Sequence, residues 1–171
     1  MSYYSYRSTT EYVARGIFFL VISLIAPVIF TVKSIQFQQN CSGYLKQAAD
    51  ANTVELALDR INLALNYIES HNLTTGYTSV VYRTEDENIG YWYQNIKACQ
   101  KELENNLEAS SLEKSNVLMK VRESLTDEGE KGTELTIPPG ISRYPHNLAY
   151  GLLMWFSIFL FCLAMYYFHE S

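Results

Sequence analysis

Two uncharged apolar runs, one near each end of the chain, bracket a long and mostly polar middle. The first is Ile17 to Val32 (IFFLVISLIAPVIFTV), and the second is Leu148 to Phe168 (LAYGLLMWFSIFLFCLAMYYF). A helix rises about 1.5 Å per residue and a bilayer core is about 30 Å thick, so the second run is long enough to span. The first has only 16 residues, but Arg15 and Lys33 flank it with stems that reach the headgroups, and Gly16 extends it. The pattern predicts a mainly α chain in which two transmembrane helices flank a small extramembrane helical bundle, with room for a short two-stranded element. Its divisions are an interfacial tail (1–15), a first span (16–33), a helical domain (34–128), an extended Pro/Gly linker (129–145), a second span (146–168) and a tail (169–171).

Within the middle, apolar positions recur at helical spacing. No Pro or Gly interrupts the chain from Ser34 to Gly43, so the first span is expected to continue as helix to about Ala49, with Ile35, Gln38, Cys41, Leu45 and Ala48 on one stripe. Asn52 or Thr53 caps a second helix, with Val54, Ala57, Leu58, Ile61, Ala64, Leu65 and Ile68 at i, i+3, i+4, i+7 spacing. Residues 77–84 (YTSVVYRT), rich in β-branched and aromatic types, suit a short strand or extended loop. Thr84 then caps a third helix opened by Glu85, Asp86 and Glu87, where the dipole favours carboxylates; its stripe is Ile89, Trp92, Tyr93, Ile96, Cys99, Leu103 and Leu107. A fourth starts near Ser110 or Ser111, with Glu113 close behind as part of a capping signal and Leu112, Leu118, Val121 and Leu125 as its weaker stripe. Asp127 to Gly132 ends it, and Pro138, Pro139 and Pro145 forbid a continuous helix into the second span.

Composition sharpens this picture in three places. Mean hydropathy is near zero only because greasy ends and a polar middle average out. Tyrosines cluster at the runs: Tyr144 and Tyr150 enter the second, Tyr166 and Tyr167 close it, and Tyr3, Tyr4, Tyr6 and Tyr12 precede the first. Rings that are apolar with one polar tip favour the headgroup level, so Tyr144, Tyr150, Tyr166 and Tyr167, with Arg15 and Lys33, are the expected interface anchors. The first run exceeds a signal-peptide core and no small-x-small cleavage site follows it, so an uncleaved anchor is expected. Arg7 and Arg15 before the first span favour both termini inside and 34–145 outside, in a plasma or inner membrane.

Residues 34–145 carry 10 Lys and Arg against 16 Asp and Glu, a net charge of −6, which opposes nucleic-acid binding. Cys162 falls inside the second run as an apolar packer. Cys41 and Cys99 are the pair in the polar middle; they form either a disulfide, on the reading that the domain is outside, or two buried thiols. Asn40-Cys41-Ser42 and Asn72-Leu73-Thr74 fit the glycosylation triplet, which matters only in a eukaryotic secretory route.

The search for chemistry finds little. His71, His146 and His169 have no i, i+4 partners, and there is no Cys-x-x-Cys, glycine-rich phosphate loop, nucleophile elbow or kinase signature. No catalytic residue, metal ligand or cofactor is therefore assigned. The acidic groups Glu85-Asp86-Glu87 and Asp127, Glu128, Glu130 read as a helix opening and a solvated turn rather than cation sites. The aromatic group Tyr77, Tyr82, Tyr91, Trp92 and Tyr93 is the one candidate patch for a partner or ligand, because Tyr91-Trp92-Tyr93 cannot turn every ring inward. The expected function is a non-enzymatic accessory, scaffold or assembly subunit, held in the lipid bilayer and docking a larger integral membrane complex or another copy of itself. An extracytoplasmic ligand-sensing module acting through a separate partner is the second reading, and a membrane-anchored enzyme built from scattered Tyr, Glu and Arg the third.

Overall fold

The apolar runs form helices that pair with each other. Helix α1 spans Ser2–Ser23, α2 Ile25–Phe37 and α7 Asn147–His169. The computed structural model describes residues 2–81, 83–129 and 132–170. The chain divides into two compact units, Met1–Lys33 with His146–Ser171 and Ser34–Pro145. In the first, α1 and α7 run antiparallel: Tyr12 and Phe19 meet Tyr167, with ring centroids 6.0 and 5.7 Å apart, and Phe30 meets Tyr150 at 5.7 Å. Between the helices lie mostly small side chains, Gly16, Ser23 and Ala26 facing Ser157, Leu160 and Ala164. Small residues let two backbones approach closely, and Gly16 is the tightest case, since a Cβ there would lie 2.8 Å from the Phe168 ring. The helices Thr9–Ala49 and Asn147–His169 are long and apolar enough to cross a membrane, and only 17% of each apolar stretch is buried.

Helix α1 breaks from α2 at Leu24 for a chemical reason. Pro27 has no N–H, so the carbonyl of Ser23, four residues earlier, lacks its usual helical partner. The Ser157 hydroxyl of α7 donates to that carbonyl instead, in a buried contact. Cys162, an apolar packer within the second run, lies on the exposed face of α7.

The second unit begins in the same stretch of helix. A single π-helical turn, Gln38–Ser42, precedes α3 (Gly43–Ala49), and the Gly43 N–H reaches back five residues to the Gln38 carbonyl. The wider turn carries an extra residue. Phe37 therefore shares the buried face with Cys41, Leu45 and Ala48, while Ile35 and Gln38 face outward. Helix α4 (Val54–Ser70) opens at Thr53, whose hydroxyl accepts from Leu56 N–H at 3.2 Å. Its buried residues Val54, Ala57, Ile61, Ala64, Leu65 and Ile68 form the centre of the core.

The third helix starts later than its acidic opening suggests. Thr84 does cap, but what it caps is a separate 3-10 turn, Glu85–Glu87, with the Glu87 carboxylate returning to the Thr84 N–H at 3.1 Å. Helix α5 (Ile89–Asn105) is capped by Asn88, whose carbonyl oxygen accepts from Tyr91 N–H at 3.0 Å. Helix α6 (Ser111–Leu125) has the expected Ser110–Glu113 capping box. Its buried positions are Val117, Val121 and Leu125, whereas Leu112 is 72% exposed, so Val117 replaces Leu112 in the stripe.

The two-stranded element lies at residues 126–135, not at 77–84. Strands β1 (Thr126–Gly129) and β2 (Gly132–Leu135) pair antiparallel, with Gly129 opposite Gly132. The stretch 77–84 makes one isolated bridge, Tyr77 to Asn88. Residues of the expected extended linker pack on the fold. Ile141 is buried in the core, with Leu135, Ile137 and Tyr144 packed against it, and Thr136 N–H bonds the Leu125 carbonyl at 2.9 Å.

Polar contacts bind the helices at their rims. Arg122 Nε donates to the Ala49 carbonyl at 2.9 Å, Gln100 to Asn62 at 2.6 Å, and Lys114 pairs with Glu55 at 2.9 Å. The ion pair is exposed and adds little; most of the stability comes from burying residues such as Ile61, Ile96 and Leu103, at about 1.5–3 kcal/mol each.

Candidate functional site

The late start of α5 creates an opening. The 3-10 turn, the Tyr77–Asn88 bridge and the first turn of α5 form one wall, and β2 with the extended residues after it forms the other. Between them lies an open cleft of about 860 Å³, lined by aromatic residues Tyr77, Tyr91 and Trp92 and by Glu85, Asp86 and Asp127 among its polar groups. Arg83, Thr84, Asn88, Asn95 and the segment Leu135 to Pro138 complete it.

Each wall is held by named contacts. Asn88 Nδ2 donates to the Tyr77 hydroxyl at 3.4 Å, and the Arg83 guanidinium lies over the Tyr77 ring, 5.2 Å from its centroid. Asn95 Nδ2 donates to the Ser124 carbonyl at 2.8 Å, tying α5 to α6. Opposite, the Thr136 hydroxyl donates to an Asp127 carboxylate oxygen at 3.0 Å and steadies the hairpin. Three amides at the start of α5 are already used: Ile89 N–H bonds the Gly76 carbonyl at 3.0 Å, Tyr91 N–H the Asn88 side chain and Trp92 N–H the Asn88 carbonyl at 3.2 Å.

Of the predicted aromatic patch, the fold brings Tyr77, Tyr91 and Trp92 together. Trp92 turns into the core at 6% exposure, while Tyr91 projects outward at 71%. Tyr93 faces another way, donating its hydroxyl to Glu69 at 2.8 Å, a bond that raises its pKa. Tyr82 lies outside the described residues. No protein-family model, curated protein or solved structure matches the chain. The site is therefore read from its own chemistry.

The remaining candidates separate. Cys41 and Cys99 are free thiols in this structure, both buried on helix faces of the core. Burial pushes Cys41 up to about 12 and also raises Cys99, keeping both protonated. Among the expected interface anchors, Arg15 and Lys33 are exposed on α1 and α2, Tyr166 is exposed on α7, and Tyr150 and Tyr167 are half-buried against facing rings. Tyr144 packs on the core of the second unit, its hydroxyl against the open face of Gly76. His71 stacks on Tyr67 with centroids 4.0 Å apart, a surface contact at the end of α4. Among the described residues, no group of three or more His, Cys, Asp and Glu converges to hold a metal ion.

Sequence reasoning missed Arg83, Asn88, Asn95, Asp127 and the 135–138 wall as cleft residues. Only Asn88 carried a local signal, as a helix-capping residue type immediately before the apolar stripe of α5.

Proposed function

We propose that this is a two-span integral membrane protein that works as a docking subunit, holding a helical domain beside the bilayer so that it recruits a partner of a larger membrane complex. The observation that carries the reading is the outward face of the paired helices. Ile17, Phe18, Val21, Leu152, Trp155 and Phe159 are each at least 50% exposed. Leaving such a continuous apolar shell in water costs about 25 cal/mol per Å², whereas lipid covers it. In this reading the termini share one side, held inside by Arg7 and Arg15, and residues 34–145 stand outside. The cleft gives the docking role its place: an open concave surface with both aromatic and polar groups suits a partner segment.

Two measurements test it. Alkaline carbonate washing of native membranes should leave the protein in the pellet, and crosslinking with mass spectrometry should join residues 34–145 to a larger membrane protein. Release into the wash would refute the membrane role. Crosslinks confined to the chain itself or to a second copy would refute the docking role.

A further inference from the structure

Resting on the docking reading, we propose that the cleft beside α5 takes an extended peptide segment of the partner through its arginine or lysine side chains. Charge complementarity carries the inference. The lining holds the carboxylates of Glu85, Asp86 and Asp127 against the single cation Arg83, within a domain that is itself acidic. Among the described residues neither Glu85 nor Asp86 forms an ion pair, and both are exposed, while Glu87 of the same turn is spent on its cap.

The aromatic groups point the same way. A cation over a Tyr or Trp face is attracted by the ring quadrupole, and the attraction grows as water is excluded. The protein already demonstrates this with its own side chain, because the Arg83 guanidinium sits 5.2 Å over Tyr77. Tyr91 offers a second, largely exposed ring beside it. An anionic occupant is disfavoured on two counts. It would meet three carboxylates, and the Ile89, Tyr91 and Trp92 amides at the start of α5 are spent on Gly76 and Asn88. Size favours a peptide over a free amine: 860 Å³ holds several residues, and the wall at 135–138 is extended chain against which a second extended chain can lie.

The test uses the full chain in a non-ionic detergent and the fluorescence anisotropy of octapeptides carrying a neutral dye. Two central arginines in a glycine–serine background are compared with two citrullines, which keep the shape and lose the charge, and with two glutamates. The arginine peptide should bind about tenfold more tightly than the citrulline peptide, equivalent to about 1.4 kcal/mol, and added salt should erode the difference. The E85Q/D86N double variant alters only exposed side chains and should weaken the arginine peptide about threefold or more. R83A is the sharper arm: it frees the Tyr77 face and removes a like charge, so it should strengthen binding of the arginine peptide. Equal binding of arginine and citrulline peptides, preference for glutamate, or weaker arginine binding by R83A would each overturn the proposal. If the arginine peptide fails while crosslinking still joins 34–145 to a membrane partner, the cleft chemistry is wrong and the docking reading survives. Loss of the protein to the carbonate wash sinks that reading whatever the peptides do.

Discussion

The hydroxyl of Ser157 substitutes for a backbone N–H that Pro27 lacks, and a double-mutant cycle can weigh that substitution. The Ser23 carbonyl is the acceptor, and both serines are nearly buried, at 3% and 6% exposure. Replacing Ser157 with Ala removes one oxygen and strands the carbonyl between the helices. Hydrogen bonds of this kind between membrane helices contribute about 0.6–2 kcal/mol, so S157A should weaken the α1–α7 pair by about 1 kcal/mol, a factor of roughly five. In a Pro27→Ala background residue 27 has its own N–H, four residues after Ser23, and can close the ordinary helical bond. There S157A should cost almost nothing, leaving a coupling energy of about 1 kcal/mol between positions 27 and 157. The assay is SDS titration in mixed micelles, followed by energy transfer between dyes placed at the end of the pair where Tyr12 meets Tyr167. An equal cost of S157A in both backgrounds would refute the account of the break at Leu24.

Three further outcomes follow from the second unit. Gly76 has φ +103 and its open face is filled by the Tyr144 hydroxyl, so Gly76→Ala should lower stability by about 1–3 kcal/mol in thermal unfolding, with Y144F relieving little because the backbone strain remains. With its pKa near 12, Cys41 is thiolate in only about one molecule in a thousand at pH 9, so iodoacetamide should spare it in the native protein and modify it after denaturation; rapid native labelling would contradict the burial. The Glu55 and Glu113 carboxylates are lowered by hydrogen bonds from Lys114 and Ser110, so their stabilisation is fully present above the ordinary value of 4.5 and is lost as pH falls through the lowered values. Acid titration of an E55Q/E113Q variant should accordingly show a shallower loss of stability below pH 4.5 than the parent; identical slopes would count against it.

What could be read from the sequence was whatever a local rule specifies. The α4 face follows from a clean 3.6-residue recurrence, and the caps were legible to within one residue, at Asn52 or Thr53 and at Ser110 or Ser111, the structure selecting Thr53 and Ser110. The misses came where distant residues decide. Thr84 and Asn88 are both sound caps, and only the Ile89 N–H bond to Gly76 selects Asn88 as the start of α5. The strands TDEG and GTEL have no apolar alternation to reveal them; they pair with Gly129 opposite Gly132, and Thr136 N–H joins the Leu125 carbonyl beyond them. Tyr77, Tyr91 and Trp92 could be named as a patch by residue type, but the wall facing them begins some 35 residues further on, at Asp127. Leu112 lost its place because it lies nine residues before Val121, which at about 100° per residue puts the two on opposite faces of the helix.

The two tryptophans of the chain fall one in each unit, and their surroundings are opposite. Trp92 is 6% exposed within the helical core, and Trp155 is 73% exposed on the outer face of α7. Each unit thus contains its own intrinsic fluorophore. In the proposed bilayer setting, lipids brominated along their acyl chains, which quench by contact, should darken Trp155 selectively and leave emission from Trp92 to follow the bundle alone. Melting of the bundle and departure of the helix pair from the bilayer become separable signals in one unlabelled sample.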